Sequence, residues 1–308
     1  MTLWAVTSYY NPVPYRRRLA NYRTFREQLA LPLLTVELAY GPAPELGRGD
    51  ADILVQIHGR DVMWQKERLL NLAVAALPPE CDRVAWLDCD IVFEDRSWVQ
   101  RLEAKLETCA LVQPFSRVHY LTRDWTPGMA AETATEFSRL SLIAAIEGGL
   151  PPLDGLAKRL GDRSKTSATG FAWAGHRDLV GRHGLYDAAI TGAGDRLLAS
   201  ASYGCIDAAA DLLMMDDRAR AHFTAWAGPW KEALAGRVGA LAGDVLNLWH
   251  GALEHRGDAE RHRALRDLGF DPFGDIALDD AGAWRWASDK PALHAYLRDY
   301  FRARREDG

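Results

Sequence analysis

The chain is short of the features that mark several protein classes. It has no basic excess: 37 Lys and Arg stand against 42 Asp and Glu, a formal net charge of -5. Nucleic-acid binders ordinarily carry the opposite balance, so bulk charge argues against one while leaving room for a local basic groove. No stretch approaches the roughly 20 consecutive apolar residues of a membrane-spanning helix. The opening Met1-Thr2-Leu3-Trp4-Ala5-Val6 has neither a charged leader nor a long apolar core, so no signal peptide is expected and a cytoplasmic location is. Cysteine is scarce. The four, at 81, 89, 109 and 205, show no C-x-x-C pairing and no His-rich spacing, which argues against a zinc site or a disulfide framework and leaves free thiols in a reducing compartment. Internal repeats and low-complexity segments are absent too.

What is present reads as a globular enzyme-sized chain. Its 308 residues, 48% hydrophobic and 26% charged, suffice for one large domain or for a domain with an appendage. Eleven tryptophans is a high count; sugars present apolar C–H faces that stack on such rings, although most tryptophans are expected in the core. Hydrophobic patterning predicts strands at 3–10, 33–40 and 53–57, helices at 15–29 and 63–76, and a fourth strand over 84–93. That last run is nearly continuously apolar until Asp88, as in a parallel strand covered on both faces. Strands alternating with helices imply an open α/β layer that binds ligands at the carboxyl ends of its strands. Further on, the pattern predicts a helix at 97–108, a strand at 110–115 and a long helix at 130–147. It then predicts a strand at 169–174, a helical stretch from Asp195 toward Met215, a strand at 245–250 and a charged helical tail from about 258.

The strongest local signal is Leu87-Asp88-Cys89-Asp90-Ile91. On a strand, residues two apart share a face, so Asp88 and Asp90 are expected side by side at the end of an apolar run. Two like charges placed together call for a cation or donors, and a hard divalent ion would serve while also binding a ligand diphosphate. Two enzyme classes use such a pair: GT-A glycosyltransferases, with D-x-D after a central strand, and haloacid-dehalogenase-like phosphatases, in which the first Asp is the nucleophile. The phosphatase motif usually lies on the first strand. Here several strands and helices precede it, which favours the first class.

Further segments resemble GT-A glycosyltransferases of the D-x-D type. Val6-Thr7-Ser8-Tyr9-Tyr10-Asn11-Pro12 is similar to their first strand and loop, which implies a nucleoside cradle with Thr7, Tyr9 and Asn11. Lys66, Arg68 and Asn71 look like the stretch that approaches base and ribose. Thr169-Gly170-Phe171-Ala172-Trp173-Ala174, then Gly184-Leu185-Tyr186-Asp187 and Gly192-Ala193-Gly194-Asp195, resemble the acceptor side of inverting members. The resemblance implies Asp195 as catalytic base with Asp187 in reserve, and Trp173 beside the donor. Asn247-Leu248-Trp249-His250-Gly251 is similar to the segment supplying a late histidine ligand, with His255 and Arg256 in reach of the diphosphate. The tail beyond Gly269 resembles those of uncharacterised bacterial and phage-like glycosyltransferases.

The expectation is therefore an α/β, GT-A (Rossmann-like) domain over residues 1–256, its mostly parallel sheet flanked by helices, with a helical C-terminal extension over 257–308. Implied are a Mn²⁺ or Mg²⁺ ion on Asp88, Asp90 and His250, a UDP-sugar donor also contacted by Asp88 and Arg256, and inverting transfer to an unidentified hydroxyl. Three alternatives stay open: a phosphatase using Asp88, a non-enzymatic sugar-binding module, and a DNA-modifying transferase acting on a hydroxymethylated base. The last is kept by the run Arg16-Arg17-Arg18 with Arg23 and Arg26.

Overall fold

A computed structural model describes residues 2–156 and 167–308. In chain order its elements are β1 (Leu3–Tyr10), α1 (Arg16–Gln28), β2 (Leu33–Ala39), β3 (Ile53–His58), α2 (Lys66–Ala75), β4 (Arg83–Leu87), β5 (Ile91–Phe93), α3 (Trp98–Lys105), β6 (Leu111–Gln113) and β7 (Arg117–Leu121). There follow α4 (Ala131–Ala134), β8 (Thr135–Leu140), α5 (Leu142–Glu147), α6 (Pro152–Leu156), β9 (Ala172–His176), α7 (Arg177–His183), α8 (Gly194–Ser202), α9 (Ile206–Leu212) and α10 (Asp217–Leu234). The chain ends with β10 (Val238–Ala240), β11 (Asp244–Asn247), α11 (Glu260–Asp267), β12 (Ile276–Leu278), β13 (Trp284–Trp286) and α12 (Pro291–Ala303).

The central sheet has seven strands in the order β10-β6-β9-β4-β1-β2-β3. All pair in parallel except β9, which runs antiparallel to both β4 and β6. This is the mostly parallel, helix-flanked α/β sheet that the sequence implies. β1 shows why. Leu3 and Ala5 enter one core, with Phe25 of α1 and Trp98 and Leu102 of α3. Val6 and Tyr10 enter the other, with Leu69, Leu70, Ala73 and Val74 of α2. Covered on both faces, the strand has no polar side to show, and its alternation disappears from the sequence.

A smaller sheet, β5-β11-β7-β8, lies beside the first. It corrects two expectations. The run 84–93 is not one strand: β4 stops at Leu87, the chain turns at Cys89-Asp90, and β5 joins the second sheet. The 130–147 stretch is not one helix but α4, β8 and α5. The expected helix from Asp195 toward Met215 is likewise broken into α8 and α9.

Residues beyond 257 share the main core rather than lying on it. Phe270, Ile276, Ala283, Leu293, Leu297 and Phe301 belong to the same buried cluster as Val6 and Trp86. The tail also contains the β12–β13 hairpin beside its helices. Phe301 is stacked with Trp64 and meets Tyr10 edge-on. Truncating such a fully buried ring costs about 3–5 kcal/mol, so the tail is integral to the fold. Among the described residues, no helix is long and apolar enough to cross a membrane. All four cysteines are free thiols.

Candidate functional site

A cleft of about 290 Å3 opens at the carboxyl ends of β1 and β4. Its floor is the turn that separates β4 from β5. Asp88 is fixed there by a reciprocal pair of bonds with Phe171: the Asp88 N–H donates to the Phe171 carbonyl at 2.8 Å, and the Phe171 N–H donates to Asp88 Oδ2 at 3.2 Å. Phe171 accepts a φ of +81° to do so. A left-handed aromatic residue is strained, and such strain gathers where a loop is held for a purpose.

Lys66, at the start of α2, joins two carboxylates. Its Nζ lies 2.5 Å from Asp88 Oδ1 and 2.7 Å from Asp195 Oδ2. Burial opposes the ammonium charge, yet Asp195 and Asp88 hold the lysine well above its usual range. Burial raises the Asp195 carboxyl, with Lys66 opposing. Asp195 sits in the first turn of α8, where the helix dipole favours its ionised form. The preceding turn is tight for a reason. Ala193 adopts φ +81°, and a Cβ on Gly194 would collide with the Glu67 carboxyl group. Burial, again with Lys66 opposing, pushes Glu67 up to about 8.

The second half of the cleft is formed by Asp90, His250 and the end of the chain. His250 Nδ1 lies 2.9 Å from the Leu248 carbonyl and 3.2 Å from Asp90 Oδ2. The carbonyl can only accept, so Nδ1 carries the proton and Nε2 the lone pair, which receives Arg256 Nη2 at 2.6 Å. Burial and then Arg256 hold the imidazole well below its usual range, so it is neutral. Burial and then Asp88 push Asp90 up to about 7. Behind them, Glu306 accepts from Arg18 through both oxygens and from Arg304. Although burial opposes its charge, Arg18 and Arg304 hold Glu306 well below the usual carboxylate range. A Cβ on Gly251 would meet the Arg304 carbonyl at 2.7 Å, so the tail lies against the residue after His250.

The cleft thus gathers Lys66, Asp88, Asp90, Asp195, His250 and Arg256. It does not gather the other residues singled out above. Thr7 donates to the Leu87 carbonyl, and Tyr9 and Asn11 bond Glu45. From β1 it is Ser8 and Tyr10 that line the cleft, so the strand has the opposite phase to the one read. Arg68 and Asn71 both bond Asp187, and Asn71 also clasps the Leu185 backbone. These three tie α2 to the loop before α8, away from the cleft. Trp173 is fully buried and donates to the Thr169 carbonyl. The basic run disperses: Arg18 enters the cleft, Arg26 pairs with Asp52, and Arg17 lies over Trp249.

Several lining residues carried no signal in the sequence: Arg139, Arg196, Arg261, Arg304 and Glu306. Asp90 and His250 are by type a carboxylate and a neutral imidazole suited to a divalent ion, but here Asp90 faces the protonated Nδ1 and Arg256 holds Nε2, so an ion would have to displace Arg256 from the ring. Asp88 does not converge with them here, since Lys66 and the Phe171 N–H occupy its oxygens.

No protein-family model matches the chain, and no curated protein does. Among solved structures, it is similar to glucosyl-3-phosphoglycerate synthase from Mycobacterium tuberculosis, in complex with Mn²⁺, UDP-glucose and phosphoglyceric acid. The identity is 14% and the TM-score 0.40, over 92% of this chain and 86% of that one. It is similar also to 4-diphosphocytidyl-2C-methyl-D-erythritol synthase from Anaerococcus prevotii, at 10% identity and a TM-score of 0.36, over 85% of this chain and 96% of that one. TarS from S. aureus matches at 10% identity and a TM-score of 0.36, over 75% of this chain and 43% of that one.

Proposed function

We propose that this chain is a metal-dependent glycosyltransferase of the GT-A type. It moves a sugar from a nucleoside diphosphate donor, a UDP-sugar, to an acceptor hydroxyl with inversion. The observation that carries the reading is the cleft itself: the D-x-D turn after β4, the late histidine after β11 and the acid at the start of α8 come from distant parts of the chain to line one cavity. In this reading residues 1–256 form the transferase domain, and 257–308 complete its core and cleft.

Asp90 and His250 would hold Mn²⁺ or Mg²⁺, with diphosphate oxygens and water filling the remaining positions. When bound, the ion offsets charge on the departing diphosphate. Arg256, beside His250, turns from the imidazole to the diphosphate as a charge-assisted donor. Asp195 takes the acceptor proton as the hydroxyl oxygen bonds to the anomeric carbon and the bond to the diphosphate breaks. Lys66 pairs with both Asp195 and Asp88 and holds the two side chains in place, and its charge opposes the upward push of burial on Asp195. Asp88 as a phosphatase nucleophile has less support, because both its oxygens are already engaged.

The direct test is a thermal-shift screen of nucleoside diphosphates and their sugars with and without Mn²⁺. The reading expects stabilisation by a UDP-sugar that needs the metal, followed by slow donor hydrolysis. Stabilisation by phosphomonoesters with phosphate release would contradict it.

A further inference from the structure

The smaller sheet carries a group of side chains that the cleft does not use. Glu94 follows β5, Asp244 opens β11, and His119 lies in the middle of β7. β5 runs antiparallel to β11 with Phe93 opposite Val245, while β7 runs parallel to β11 with Leu246 opposite His119. This register brings the three residues to one end of the strand pair, where the Glu94 N–H donates to the Asp244 carbonyl at 3.2 Å. One ligand atom from each of Glu94, His119 and Asp244 lies within 4.8 Å of the others. His119 Nε2 is 2.9 Å from Asp244 Oδ2, and its Nδ1 is 2.7 Å from Ser138 Oγ on β8.

We propose that Glu94, His119 and Asp244 bind a divalent cation of the zinc type, in a site separate from the cleft. Two carboxylates and a neutral imidazole carry the two negative charges that neutralise such an ion. Three protein ligands with one face open to solvent leave a fourth position for water. Ser138 supplies the partner that metal-bound histidines ordinarily have on the second ring nitrogen: without an ion Asp244 accepts from the Nε2–H and the Ser138 hydroxyl donates to Nδ1, and with an ion on Nε2 the proton would sit on Nδ1 and Ser138 would accept it. Glu94 is exposed, so the ion enters from solvent without opening the core.

The position gives the site a purpose. Asp90 precedes β5 as Glu94 follows it, about 13 Å along an extended chain. β11 starts at Asp244 and leads through Asn247 to His250. A cation at the far end therefore clamps the two strands that deliver Asp90 and His250 to the cleft. It holds their register from outside and makes no contact with substrate.

The test is equilibrium dialysis of Zn²⁺ against the full chain at neutral pH, with Asp90→Asn as the common background to weaken ion binding in the cleft. One Zn²⁺ per chain is expected, together with a rise in melting temperature. Glu94→Gln is isosteric and exposed, so it keeps the fold; it should lower zinc affinity by roughly tenfold or more and remove the thermal gain. His119→Ala should abolish both, and Co²⁺ should give a visible absorption band that the same two variants lose. Absence of bound zinc, or zinc retained equally by Glu94→Gln and His119→Ala, would overturn the proposal and leave His119 as the hydrogen-bond partner of Asp244.

Discussion

Arg256 donates from Nη2 to the Nε2 of His250 at 2.6 Å. Nδ1 is already committed to the Leu248 carbonyl, so the guanidinium holds the one lone pair that the imidazole can offer an ion. In the proposed reaction the metal-free protein stores its phosphate-binding cation on its metal-binding ring, and donor binding separates the two. Arg256→Met should therefore tighten Mn²⁺ binding severalfold in the absence of nucleotide and weaken nucleoside diphosphate binding in its presence. Calorimetry of both ligands checks this; weaker metal binding by the variant would show that Arg256 supports the ion instead of competing with it.

Among the described residues, Lys66 alone forms an ion pair with Asp88 or Asp195, and it pairs with both. Lys66→Met would leave two half-buried carboxylates side by side without their shared cation, at a cost of about 1–2 kcal/mol in stability. Adding Asp195→Asn to that variant should recover much of the loss, because it removes one of the two charges. Urea unfolding of the single and double variants measures both effects. Additive losses in the double variant would contradict the coupling.

Glu67 gives the metal-free fold a defined pH dependence. Burial pushes its carboxyl from the ordinary 4.5 up to about 8. Between those values the folded chain keeps a proton that the unfolded chain has released, so stability falls as pH rises through that window. Asp90, pushed up to about 7 by burial and by Asp88, adds to the same slope. Glu67→Gln removes one of the two contributions. Its melting temperature relative to the parent should climb by a few degrees between pH 4.5 and 8.5. A constant difference across that range would show that Glu67 ionises normally in the fold.

The layer order was legible because it rests on patterns that local residues create. β2 and β4 are buried throughout and read as apolar runs; α1 and α2 show helical spacing. The D-x-D residues were found, but the same-face argument for them does not hold, because Leu87 ends β4 and the two acids occupy a turn between sheets. Thr7 and Tyr9 were chosen over Ser8 and Tyr10 because a strand covered on both faces hides its phase, and a one-residue slip exchanges every side chain. Arg68 shares a helix with Lys66 but lies two residues on, about 200° around, and so points away from the cleft. β8 does carry strand alternation, with Glu136, Ser138 and Leu140 exposed, but helix-forming residues on both sides obscured it. Arg304 and Glu306 had no readable signal, and Arg18 was read only as one of a basic run. Their bond joins the first helix to the last residues of the chain, and no local pattern encodes a contact of that span.

Asp195 carries the proposed proton transfer. Asp195→Asn keeps size and hydrogen bonding but loses basicity, so turnover should fall by roughly a hundredfold while donor affinity holds. Asp187→Asn provides the contrast: its partners Arg68 and Asn71 lie outside the cleft, so the change should lower stability more than turnover. Steady-state kinetics and the anomeric configuration of the product by NMR check both. Near-normal turnover of Asp195→Asn removes it from the role, and a retained configuration removes the inverting mechanism.

The central claim is that the turn after β4 holds a metal-bound nucleoside diphosphate, and Asp90 is its most exposed point of failure. Asp90→Ala removes one ligand and one of two crowded acids, so the metal-free protein should be at least as stable as the parent. The direct measurement is calorimetric titration of UDP into parent and variant in the presence of Mn²⁺. Metal-dependent binding by the parent and its loss in a folded Asp90→Ala are expected; equal UDP affinity in the two proteins would rule out Asp90 as a ligand of the metal–diphosphate complex.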